Sequence, residues 1–108
     1  MGRYLLIESR DPFEARDVNY YYDLAAGLVR EKNDVTLFLV QNGVLAARAG
    51  AQAPSLTALA QAGVKVLADG FSLKERGIPV LKLASGVEAA PIDVVVDELA
   101  AGAKALWH

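Results

Sequence analysis

At 108 residues and 11.5 kDa the chain has the size of one domain, long enough to close a single core and too short for two. Hydrophobic residues make up 54% and charged residues 22%, and the net charge of -2 argues against the broad electropositive footprint of a nucleic-acid binder. With no cysteine anywhere, a thiolate nucleophile, a disulfide framework and a thiolate metal site are excluded by composition.

The N-terminal run Tyr4-Leu5-Leu6-Ile7 reads as a strand, and it meets Glu8 too soon to be the core of a signal peptide. Leu6 stands where a myristoylation signal needs Ser or Thr. No run approaches the length of a membrane span, so the expectation is a cytoplasmic protein without a membrane partner. Asp11 then reads as a helix cap, with Pro12 at the first helical position and Glu14 completing a capping box. Val18, Tyr21, Tyr22, Ala25, Leu28 and Val29 recur at helical spacing, and the helix is expected to stop near Lys32-Asn33. Val35 to Val40 is a second continuous apolar run, the pattern of a parallel strand buried on both faces.

Gln41-Asn42-Gly43 reads as a tight turn, Val44 to Arg48 as a short helical piece ended by Gly50, and Pro54 to Ala62 as a helix stopped by Gly63. Val64 to Leu67 is the third strand. The Asp69-Gly70 turn leads into a short helix from Phe71 to Arg76, closed by Gly77. Ile78 to Leu83 is expected to return to the sheet as the fourth strand, with the donorless Pro79 at its start, and Ser85 to Glu88 to be a loop. Pro91 opens an amphipathic helix carrying Ile92, Val95, Val96 and Leu99, with Asp93 and Asp97 on its outer face. Strands alternating with helices imply a single α/β domain over residues 1–108, a three-layer α/β/α sandwich around a mainly parallel sheet.

In such a sheet, ligands bind beyond the carboxyl ends of the strands. That rule selects the loops at Glu8-Ser9-Arg10-Asp11, Gln41-Asn42-Gly43 and Asp69-Gly70-Phe71-Ser72, and with them Arg10, Asn42, Gly43, Asp69, Gly70 and Ser72 as pocket candidates. Gly70 and Ser72 at a helix start offer donors to a small anion, which Asp69 would oppose. Asp69 itself reads equally as an N-cap. Arg10 is a surface cation or a guanidinium for an anionic ligand, and Lys74, Glu75 and Arg76 read as a solvated helix face. Tyr20 and Phe71 are the interface candidates: Tyr20-Tyr21-Tyr22 cannot all face one core, and Tyr20 falls off the apolar stripe. His108 is the only histidine and the last residue, so a Ser-His-Asp triad or a multi-histidine metal site lacks its members. No Walker loop or Gly-x-Gly-x-x-Gly is present, and neither a cofactor nor a metal is expected.

Two stretches, Val35 to Val44 and Ala62 to Val66 continuing through Arg76-Gly77, resemble the DsrE family of small sulfur-relay proteins. The resemblance covers nearly the whole chain. It implies a five-stranded α/β/α sandwich whose last strand is Lys104 to Trp107, and trimers or hexamers of like or related subunits. In sulfur-carrying members a cysteine in the turn after the third strand forms a persulfide, and here Asp69 stands at that place. The implied role is a non-catalytic subunit or binding partner in intracellular sulfur trafficking, associated with itself or with a cysteine-bearing relative. The alternative is a homo-oligomeric module for a small ligand or anion, detached from sulfur transfer.

Overall fold

Short apolar runs of four to six residues form the strands β1 (Arg3–Glu8), β2 (Asp34–Leu39), β3 (Lys65–Asp69), β4 (Val87–Ala90) and β5 (Lys104–Trp107). The structure, a computed structural model, describes residues 2–50 and 53–108; of the expected domain over 1–108, Met1, Ala51 and Gln52 lie outside the described residues. All four strand pairings are parallel, in the order β4-β3-β2-β1-β5. The central strands are apolar throughout because both faces are covered. Leu6, Leu37 and Val66 pack beneath the helices α1 (Val18–Arg30) and α2 (Ala53–Ala62), while Leu5, Phe38 and Leu67 pack beneath α4 (Asp93–Ala100) through Val94 and Val95. This is the expected α/β/α sandwich, and Lys104–Trp107 is its fifth strand, paired with β1 from Tyr4↔Lys104 to Ile7↔Trp107.

Several element boundaries differ from the sequence reading. The first helix begins at Val18 rather than after Asp11. Asp11 instead closes a local turn: its Oδ1 accepts from the Phe13 amide, and its main-chain oxygen accepts from Glu14 and Ala15. A side chain bonded two residues ahead competes with helix initiation. The turn at Gln41 and the helical piece after it merge into one 3-10 segment, Gln41–Ala47, ended by Arg48.

The fourth strand lies later than expected. Ile78 to Leu83 holds a 3-10 turn, Val80–Lys82, and a single antiparallel bridge from Leu83 to Arg48, and the strand forms at Val87–Ala90, where a loop was expected. The backbone around Lys82 bonds to residues 47–49, at the end of the 41–47 segment, instead of to β3, through Ala49 N to Lys82 O and Ala84 N to Ala47 O. Leu81 is left 99% exposed. The apolar stripe on α4 is also turned differently: Val94 and Val95 reach the sheet, whereas Ile92, Val96 and Leu99 are exposed alongside Asp93 and Asp97.

Candidate functional site

The connections from β1 to β2, from β2 to β3 and from β3 to β4 step the same way across the sheet, and the connection from β4 to β5 runs back over the opposite face. Neighbouring strands β3 and β4 therefore send their following segments apart, which opens a crevice at their carboxyl ends, the usual ligand position in open α/β sheets. A cleft of about 650 Å³ occupies it, walled by Phe71, Ala89, Ala90, Pro91 and Ile92, with Asp69 and Asp93 as its charged members. A second cleft of about 320 Å³ lies beyond the ends of β1, β2 and β3 and brings Gln41, Glu75 and Trp107 together with Asp69. Asp69, Phe71 and Ile92 belong to both.

Asp69 is the residue on which the site is built. It ends β3 in an extended conformation and caps α3 (Gly70–Glu75), its Oδ2 accepting from the Ser72 amide at 3.1 Å and from the Ser72 hydroxyl at 2.7 Å. Ser72 Oγ in turn accepts from the Gln41 amide at 2.9 Å, so the loop after β2 is tied to the loop after β3. Gln41 is held at φ 51°, a left-handed conformation that a non-glycine side chain adopts at a cost. Asp69 is only 7% exposed and Ser72 4%, so a carboxylate is fixed at the floor of two largely apolar clefts.

The structure brings Asp69, Gly70, Phe71 and Ser72 to these clefts, but Arg10, Asn42 and Gly43 line neither. Arg10 is exposed, and its amide donates to Glu8 Oε2. Asn42 Oδ1 accepts from Nε and Nη2 of Arg76 at 3.2 and 3.1 Å. Gly43 is buried against the end of β1, where an added Cβ would stand 2.2 Å from the Glu8 carbonyl oxygen. Its glycine identity thus answers to packing. Tyr20, 77% exposed, projects from α1 away from the clefts, while Phe71, 69% exposed, overhangs them. A separate groove of about 560 Å³ gathers cations, Arg48, Arg76 and Lys82, beside Pro79 and Leu81.

The profile of the DsrE/DsrF-like family matches residues 3–107. The chain belongs to that family. Two solved structures share its architecture: a protein of unknown function, MTH1491 from Methanobacterium thermoautotrophicum, with TM-score 0.87, 16% identity and full coverage of both chains, and the YchN protein from E. coli, with TM-score 0.86, 22% identity and coverage of 98% and 99%. At those identities the likeness establishes the fold. No curated protein matches the sequence.

This DsrE/DsrF-like chain also holds a polar cluster that sequence reasoning missed. Glu8, fully buried at the end of β1, receives His108 Nδ1 at 2.7 Å from Oε1, and His108 Nε2 lies 2.8 Å from Asp17 Oδ2. The imidazole stacks on Tyr21 at 5.1 Å between ring centroids. The hydrogen bonds that the imidazole donates to Asp17 and to Glu8 outweigh its partial burial and leave His108 above its ordinary pKa, and the same histidine holds Asp17 below the usual carboxylate range. Both ring nitrogens are engaged, so this histidine ties the end of β1 to the start of α1. Burial raises the Tyr21 hydroxyl to about 12 and moves Tyr22 upward further, its hydroxyl having no partner among the described residues. The signal available beforehand was register: a strand at Lys104–Trp107 beside β1 brings residue 108 to the level of Glu8. Among the described residues no group of acidic or histidine side chains is arranged to hold a metal, and no helix is long and apolar enough to cross a membrane.

Proposed function

We propose that this protein is a non-catalytic DsrE-like subunit or binding partner in intracellular sulfur trafficking, working beside a chain that carries the thiol. The observation that carries the reading is Asp69. A carboxylate fixed in a cap to Ser72 stands at the end of β3, where the family resemblance places a persulfide cysteine, and the chain has no sulfur nucleophile elsewhere. A carboxylate cannot store sulfane sulfur. What it retains is the shape: the loop tie through Ser72 and Gln41, the clefts above it, and an exposed apolar rim of Phe71, Ile92 and Trp107 able to meet another subunit. The partner under this reading is a cysteine-bearing relative; a trimer or hexamer of this chain alone belongs to the second reading below.

Native mass spectrometry on the protein purified from its own source tests this. A mixed oligomer that includes a cysteine-bearing relative is the expected result. A pure homo-oligomer would overturn it in favour of a second reading, a self-sufficient module for a small anion. That reading draws on the groove in which Arg48, Arg76 and Lys82 converge without an acidic lining residue. Extra mass per subunit that disappears in an Arg48→Ala variant would then identify the groove as its site.

A further inference from the structure

We propose that the paired clefts over Asp69 form a binding site for a small organic cation, an ammonium or amidinium group carried on an apolar body. The proposal rests on the geometry of the clefts and not on a role in sulfur trafficking. Asp69 is more than nine-tenths buried, and Ser72 occupies only one of its carboxylate oxygens: Oδ2 takes both bonds from Ser72, and Oδ1 has no hydrogen-bond partner among the described residues. Among the described residues the sealed side-chain atom left without a partner is Tyr22 Oη and not Asp69 Oδ1, so Oδ1 is reached from outside, across the cleft floor that Asp69 shares between the two cavities, and is free to accept from a ligand.

The rest of the lining selects the ligand's character. Every charged residue that lines either cleft is acidic, Asp93 in the larger and Glu75 in the smaller in addition to Asp69, and no lysine or arginine lines them. Glu75 is partly answered by Arg76 at 3.7 Å, which leaves Asp69 and Asp93 to set the sign. Around these carboxylates stand Phe71, Pro91, Ile92 and Trp107. Aromatic faces beside a carboxylate favour a cation with hydrocarbon attached, since the rings accept positive charge as well as apolar surface. A carboxylate or phosphate ligand would have to enter against two or three like charges.

Trp107 is the only tryptophan of the chain and lines the smaller cleft, so its fluorescence reports on the site directly. The whole protein is titrated with hexylammonium chloride, with sodium hexanoate and with hexanol, which share one chain and differ in charge. The expected result is a saturable change in Trp107 emission with hexylammonium, at least tenfold weaker half-saturation for the alcohol, and no saturation with hexanoate. Asp69→Asn keeps a good capping residue and is expected to weaken hexylammonium binding at least tenfold. Should that variant fail to fold, Phe71→Ala, which removes an exposed wall residue, is expected to weaken binding severalfold. Equal or tighter binding of hexanoate, an absence of saturation with hexylammonium, or an Asp69→Asn variant that binds as well as the parent each overturns the proposal. None of these outcomes bears on whether a cysteine-bearing partner is found, so the two readings fail separately.

Discussion

At the scale of single residues, one constraint in the molecule is electrostatic and involves Glu8, which lines neither cleft. Glu8 is fully buried, and the His108 ring and the Arg10 amide are the donors that reach its carboxylate. Removing the imidazole therefore leaves a buried carboxylate short of a partner, at a cost of about 2 kcal/mol. The pH dependence has a definite sign. Because the folded-state pKa of His108 is raised, its contribution is complete below the unfolded value of about 6.5 and is lost as pH climbs through the folded value. Asp17 is shifted downward, so its share is present above about pH 3.9 and is lost as pH falls through its lower folded value. The cluster is thus strongest in mildly acidic solution. Urea unfolding of the parent and of His108→Ala should differ most near pH 6 and less as pH rises through the raised folded-state value; a difference that grows with pH would show that the neutral imidazole, not the imidazolium, makes the contact.

At the scale of elements, β5 matters more than its exposure indicates. All four of its residues are exposed, yet it closes the sheet beside β1 and brings His108 back to Glu8. The His108 main-chain oxygen also accepts from the Ser9 amide at 3.2 Å and from its hydroxyl at 3.0 Å. A chain truncated before Lys104 loses the cover over one edge of β1 together with Glu8's partner, and is expected to lose cooperative thermal unfolding by circular dichroism; a sharp transition within a few degrees of the parent would contradict this. β5 was legible only through the family resemblance, since helix propensity alone continues α4 to the chain end. β1, β2 and β3 were legible directly, because strands covered on both faces are apolar in an unbroken run. The edge strand β4 was not. It is four residues long and half alanine, with Glu88 exposed, so neither alternation nor β-branched content distinguishes Val87–Ala90 from a loop, whereas the richer run Ile78 to Leu83 imitates a strand and is held off the sheet by its pairing with Arg48 and Ala49. The candidate site was legible to the extent that it is local: Asp69, Gly70, Phe71 and Ser72 follow one strand and meet in one place. Ile92, Asp93 and Trp107 come to it only through the β4 to β5 crossover, which no short motif encodes.

At the scale of the whole molecule, the two faces of the sheet are covered unequally. α1 and α2 share one face, while the other is covered by α4 alone, a helix of eight residues with none fully buried. Phe71, Ile92, Val96, Leu99 and Trp107 are each more than half exposed, and they lie on α4 or at the strand ends next to it. Singly exposed apolar residues are ordinary on a soluble protein; five gathered around one thinly covered face make it the first surface to test for association. We propose this face for the subunit contact, in keeping with an apolar share of 54% in so short a chain. Val96→Asp places a charge in the middle of that surface without touching the sheet, because Val94 and Val95, not Val96, make the packing contacts. Sedimentation velocity should find the parent larger than a monomer and Val96→Asp shifted toward the monomer, with the two folding alike. The corresponding change on α1, Tyr20→Asp, alters an exposed aromatic on the well-covered face and should leave the sedimentation unchanged if association runs through α4. The reverse pattern would move the interface to α1.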